Sequence, residues 1–175
     1  MHVATPEIQR LDPETNLTDL VVERLGADPA RVVYAVQNTD DVDNLSWTEV
    51  TAFEFLAEVR KLAKGLIASG VKPGDVIAVM SATSYQWALV DQAIWFAGAI
   101  SVPIYETSSP SQIAHILTDS GAQRIFVAGQ AASRAVARAI ETHAALAGID
   151  QVELTATGLA ALAETGAGVC DDAVE

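Results

Sequence analysis

Residues 102–113 read VPIYETSSPSQI, so Tyr105, Thr107 and Ser108 place hydroxyl groups between an apolar run and a proline. Hydroxyls both donate and accept hydrogen bonds, and a loop rich in them can hold or orient a polar ligand. Local signals fix its setting. Ser109 can accept from the Gln112 N–H while the Gln112 side chain reaches back, and Pro110 occupies the first helical position. The loop thus joins a strand to a helix, and in open parallel α/β sheets ligands sit outside the carboxyl ends of strands. The same residues also suit a plain turn, since polar loops are ordinary connectors. No reactive partner stands beside them, so they are candidates for binding, not for catalysis.

Other patterns carry less chemistry. Asp40, Asp41 and Asp43 resemble half of a calcium loop, but the glycine and glutamate that complete one are missing, which favours a solvated hairpin turn. Gly166 and Gly168 have two of the glycines of a dinucleotide fingerprint, without a third or a preceding strand; a flexible loop is expected. His115 lies among Ile113, Ile116 and Leu117 and reads as a partly buried helix-surface residue. Trp87 and Trp95 share a helix and read as core or pocket wall. Neither a phosphate-cradling G-x-x-x-x-G-K-[ST] nor a G-x-S-x-G nucleophile elbow occurs.

The elements that would position these residues follow from periodicity and punctuation. A helix near 17–25 is capped by Asn16 and stopped by Gly26, and a strand RVVYAVQ follows at 31–37. Ser46 and Glu49 form a capping box, and Ala52, Phe55, Val59, Leu62 and Leu66 recur at helical spacing. That predicts an amphipathic helix over 48–69, ended by Gly70. Strands VIAVMS, ISVPI and RIFVA then alternate with helices near 84–97, 110–120 and 130–147, before a strand near Gln151–Leu154. Such alternation predicts a doubly wound, mostly parallel sheet with helices on both faces, preceded by a helix and a β-hairpin. Residues 1–13 read as a tail, 14–155 as the main unit, and 156–175 as a weakly structured tail with a short helical stretch around Leu159–Ala163.

Composition narrows the class. The 175 residues are 50% hydrophobic and 19% charged, enough for one substantial core. A net charge of −13, with the bases clustered only at Arg60, Lys61 and Lys64, argues against a nucleic-acid surface. The single Cys170 can form no internal disulfide, and the longest apolar run, 93–104, is too short to span a bilayer and contains Gly98 and Pro103. The chain is therefore expected to be cytoplasmic.

Four segments in order carry a resemblance: LSWTEV at 45–50, GVKPGDVIAVMS at 70–81, WFAGAISVPIYETSS at 95–109 and QIAHILTDSGAQRIFVAG at 112–129. Together they resemble the N-terminal portion of the adenylate-forming superfamily, most specifically, through YETSS, bacterial long-chain fatty-acyl-CoA ligases. The resemblance implies a parent enzyme that joins a fatty acid to ATP with Mg²⁺, then passes the acyl group to coenzyme A. It also implies a place for Tyr105, Thr107 and Ser108 near the acyl tunnel, and admits peripheral membrane contact. The family's phosphate loop, Thr-Glu pair, ribose-binding Asp and C-terminal lysine are absent from this sequence, and Lys61, Lys64 and Lys72 stand in the wrong contexts to replace them. The expectation is an incomplete domain with no catalytic residue, no metal site and no cofactor of its own, prone to self-association. A flavodoxin-like or receiver-like binding module is the competing reading, since the same alternation permits it.

Overall fold

A computed structural model describes residues 12, 14–38 and 45–174. The first described helix, α1 (Leu17–Gly26), opens on a capping box between Asn16 and Asp19, and it runs through Gly26 to cap at Ala27. Next come β1 (Val32–Asn38) and β2 (Ser46–Thr51), an antiparallel pair whose last rungs join Asn38 to Ser46. The Asn38 amide bonds Ser46 Oγ at 2.9 Å and accepts from Thr48 Oγ1 at 3.0 Å. Asp40, Asp41 and Asp43 lie outside the described residues.

Helix α2 (Ala52–Ala68) begins four residues later than the sequence pattern suggests. Both Ser46-x-x-Glu49 and Thr51-x-x-Glu54 satisfy a capping box, but pairing with β1 claims residues 46–51 as strand. The box that forms is therefore Thr51–Glu54, in which the Thr51 N–H and hydroxyl hold the Glu54 carboxylate at 2.8 and 2.7 Å. Its predicted apolar stripe, Ala52, Phe55, Val59, Leu62 and Leu66, is buried throughout.

The rest winds as β3 (Val76–Met80), α3 (Tyr85–Phe96), β4 (Ile100–Ile104), α4 (Pro110–Ser120), β5 (Arg124–Val127), α5 (Gln130–Thr142), β6 (Asp150–Glu153) and α6 (Ala156–Thr165). The four strands β3 to β6 are parallel in the order β4-β3-β5-β6. Strand alternation divides the core in two. Ile77, Val79 and Phe126 face the layer of α2, α3 and α6, while Ala78, Met80, Ile125 and Val127 face α4 and α5.

Helix α5 stops short of the expected 147. The Thr142 hydroxyl bonds back to Arg138 O at 2.8 Å, His143 turns extended at φ −131°, and a 3₁₀ turn over Ala144–Leu146 follows. The sheet edges are short. Pro103 lies on β4, and Asp150 and Glu153 on β6, features that blunt edge pairing.

Residues 156–174, expected to be weakly structured, are docked. Helix α6 packs on α2 and leads to a 3₁₀ turn, Asp171–Val174, that buries Val174. Glycine makes this approach possible. A Cβ on Gly65 would lie 2.2 Å from Leu162 O, and one on Gly166 would lie 2.5 Å from Gly65 N. Gly166, expected in a flexible loop, is thus a contact point, while Gly168 faces open space. Lys64 pairs with Asp171 across it and holds that carboxyl below its usual range. Asp91 is the one buried charged residue among the described ones; on α3, it accepts a 2.6 Å bond from Ser101 of β4.

Two outcomes follow from this packing. Gly65→Ala and Gly166→Ala are each expected to cost about 1–3 kcal/mol by overpacking, with the double variant costing less than the sum because either change already parts α2 from α6. Gly148→Ala, facing open space, serves as the neutral control; strict additivity in urea melts would contradict the contact. For Asp91, burial raises the carboxyl pKa and the Ser101 bond offsets part of the rise. The native state then holds this proton more tightly than the unfolded chain. Ionisation costs stability as pH rises through the native pKa, a cost absent below the unfolded value. Asp91→Asn is expected to raise Tm at neutral pH, with the gain vanishing below the ordinary carboxyl pKa of 3.8. An equal gain at both pH values would contradict the assignment.

Candidate functional site at the carboxyl edge of the sheet

The connections β3-α3-β4 and β5-α5-β6 lead to opposite sides of the sheet, so the strand order reverses between β3 and β5. That reversal opens the crevice in which α/β proteins hold ligands. Its floor is Met80–Ser81 and Val127–Gly129, tied by a 3.0 Å bond from Ala128 N to Met80 O. Gly129, at φ 80°, begins α5 without a side-chain cap. Neither strand ends in an acidic residue, which removes the basis for a receiver-type phosphoacceptor at this crevice.

The hydroxyls singled out in the sequence stand along the same edge. Ser108 N donates to Tyr105 O at 3.0 Å, closing a turn after β4. Tyr105 is 86% exposed, Thr107 is exposed and Ser108 is half-buried. Their neighbours serve the backbone. Ser109 forms the expected capping box with Gln112, Ser84 caps α3 through Trp87 N at 3.1 Å, and Thr155 caps α6 through Gly158 N at 3.1 Å. The edge is rich in hydroxyls because three helices start there. His115 is exposed on α4, not partly buried as expected. Trp87 and Trp95 are half-buried and pack against the core.

A cleft that the sequence pattern does not single out lies next to this edge. It has a volume of about 360 Å³ between α2, α3 and α6, near the starts of α3 and α6. Leu62, Leu89 and Leu159 form apolar walls, with Glu58, Lys61 and Glu164 among the polar ones. Tyr85 also lines it, packed edge-on against Tyr34 at 5.3 Å and 6.2 Å from Phe55. Burial first, and then the neighbouring Glu58 carboxylate, push the Tyr85 pKa above its ordinary value. The Tyr85 hydroxyl is buried, and no hydrogen bond of normal geometry closes on it. The cleft suits an apolar group. Its only sequence signals are Ser84, which starts α3, and the helical stretch at 159–163. Their meeting depends on α6 docking, which no local pattern encodes.

Among the described residues, no group of three or more His, Cys, Asp or Glu side chains is placed to hold a metal ion. No helix among them is long and apolar enough to cross a membrane.

Comparison with known proteins adds family and fold. The long-chain-fatty-acid–CoA ligase FadD15 of Mycobacterium bovis is 40% identical over 124 residues, covering 71% of this chain and 20% of that protein. The Mycobacterium tuberculosis protein of the same name is 39% identical over 124 residues, again with 71% of this chain and 20% of the relative covered. This chain thus spans about a fifth of the length of these relatives. Among solved structures, a benzoate CoA ligase from Burkholderia xenovorans aligns at TM-score 0.64 and 19% identity, covering 82% of this chain and 28% of that one. The N-terminal subdomain of NpsA from Klebsiella oxytoca aligns at TM-score 0.59 and 17% identity, covering 85% and 32%. Residues 26–169, most of the chain, match the AMP-binding enzyme family, and the chain belongs to that family.

Proposed function

We propose that this chain is the N-terminal sheet portion of a long-chain fatty-acid–CoA ligase. The observation that carries the reading is the 40% identity over 124 residues to a protein of that name. In the parent enzyme a fatty carboxylate oxygen would attack the α-phosphorus of ATP and release pyrophosphate. The coenzyme A thiol would then attack the acyl carbon and release AMP. Adenylation is needed because a carboxylate is a poor electrophile, and positioning with charge stabilisation around the phosphates lowers the barrier.

The residues described here do not fit the nucleotide or Mg²⁺. The carboxyl-edge serines and threonines Ser84, Ser109 and Thr155 are bonded within their own helix starts, and no acidic group is assembled to hold a cation. No step is therefore assigned to them. The proposed contribution of this portion is architectural: a rigid parallel sheet whose carboxyl edge, with Tyr105, Thr107 and Ser108, borders the acyl path. A flavodoxin-like module shares the strand order β4-β3-β5-β6, yet that order alone names no activity. Exposed Trp47 and Phe53 offer apolar surface for the rest of such an enzyme, or for self-association of this chain alone.

Two assays test the reading. This chain alone, with ATP, Mg²⁺, a C16 acid and coenzyme A, is expected to release no pyrophosphate above a buffer control. A chimera of the Mycobacterium bovis ligase, with its matching segment replaced by this chain, is expected to keep acid-dependent and coenzyme-dependent turnover within about tenfold of the parent. A soluble, folded but inactive chimera would contradict the proposal, as would fatty-acid-dependent pyrophosphate release by this chain alone.

A further inference from the structure

Helix α1 is half apolar, yet none of its residues is fully buried, and Leu17 and Leu20 remain 58% and 37% exposed. What lies beneath it is a cavity of about 400 Å³, walled by Val21 and Leu25 of the helix, Tyr34 of β1, Phe55 of α2 and Trp95 of α3. A second cavity of about 690 Å³ shares the Leu17, Leu20 and Trp95 walls and reaches Asn16, Pro73 and Gly98. The two spaces form a trough along α1, and a ten-residue helix is about 15 Å long.

Two polar groups interrupt the apolar wall of the first cavity. Among the described residues, Arg24, in the last turn of α1, is the only charged one lining it. Gln92 of α3 lines it too, and its side-chain Oε1 is buried with no hydrogen-bond partner among the described residues. A guanidinium at one end of an aromatic and aliphatic trough complements an anionic head, which it can hold through paired hydrogen bonds. The Gln92 side-chain N–H can donate to the same head, which as a carboxylate only accepts. The trough also lies away from the carboxyl edge. Gln92 and Trp95 are in the second half of α3, and Pro73 and Gly98 precede β3 and β4, so it sits by the amino ends of the strands.

We propose that the trough beneath α1 is a second ligand site, which takes an aliphatic carboxylate of about a dozen carbons, head toward Arg24 and chain along the helix. The volume falls in the range of small-molecule sites, and the ligand would bury the apolar face that α1 leaves uncovered. The site is separate from the reaction edge, so its occupancy does not depend on the reaction proposed above.

The probe is sodium dodecanoate, kept below its micelle concentration and titrated into the 175-residue chain carrying Trp47→Phe and Trp87→Phe, so that Trp95 alone reports. Saturable, one-to-one binding is expected. Arg24→Gln is expected to weaken it by roughly tenfold or more, dodecanol and hexanoate to bind more weakly by a similar factor, and Val21→Phe, which fills the cavity without adding a second tryptophan, to abolish it. Circular dichroism melts check that each variant is folded, and Arg24→Gln keeps the test decisive if Val21→Phe does not fold. Absence of saturable binding to the folded chain overturns the proposal. Equal affinity in the parent and Arg24→Gln, or for dodecanoate and dodecanol, overturns it as well.

Discussion

The rest of the structure depends on the burial of β3 on both faces. Ile77, Ala78, Val79 and Met80 are each at most 1% exposed, and they alternate between two helical layers. A strand sealed on both sides must satisfy its backbone laterally, and β4 and β5 do so as parallel neighbours. Parallel neighbours need crossover helices, and those helices start at the carboxyl edge. The serine and threonine caps that begin them therefore collect along one rim. In this way a hydrophobic constraint on four residues decides where the polar loops lie, and where a ligand can approach.

A second constraint brings α6 to the same face. Gly65 and Gly166 let two helix backbones approach closer than any side chain would allow, and Leu159, Leu162 and Val174 then close over α2. The apolar cleft by Tyr85 exists because of that contact, since α2 and α3 alone supply only two of its walls. Lys64 and Asp171 add an exposed ion pair, worth little by itself but placed where the backbones are already fixed. Helix α1 is held differently. It sits on half-buried side chains over open space, without a close backbone contact, and is the most loosely packed of the described helices by burial.

Legibility in the sequence followed how local each determinant is. Strands β3, β4 and β5 and helix α4, with Ser109, Pro110 and Gly121 as its punctuation, were readable because period, cap and breaker agree over a few residues. The start of α2 was misplaced because two capping boxes compete, and only the pairing of β2 with β1 chooses between them. The docking of 156–174 was invisible because glycine reads as loop punctuation, while here Gly166 is a contact that depends on Gly65, a hundred residues earlier in the chain. Tyr105, Thr107 and Ser108 lie between the carboxyl end of β4 and the start of α4, where the strand and cap signals set them. Tyr85, Gln92 and Asp91 were missed because a single polar residue on a helix reveals its burial only once the layers are stacked.

Native-state hydrogen exchange tests most directly the claim that β3 organises this fold. The account predicts that amides of 77–80 and 125–127 exchange slowest, through global unfolding alone, that α2 and α6 open together at lower free energy, and that α1 exchanges first. Exchange of the β3 amides as fast as those of α1, in a chain that stays folded, would contradict it.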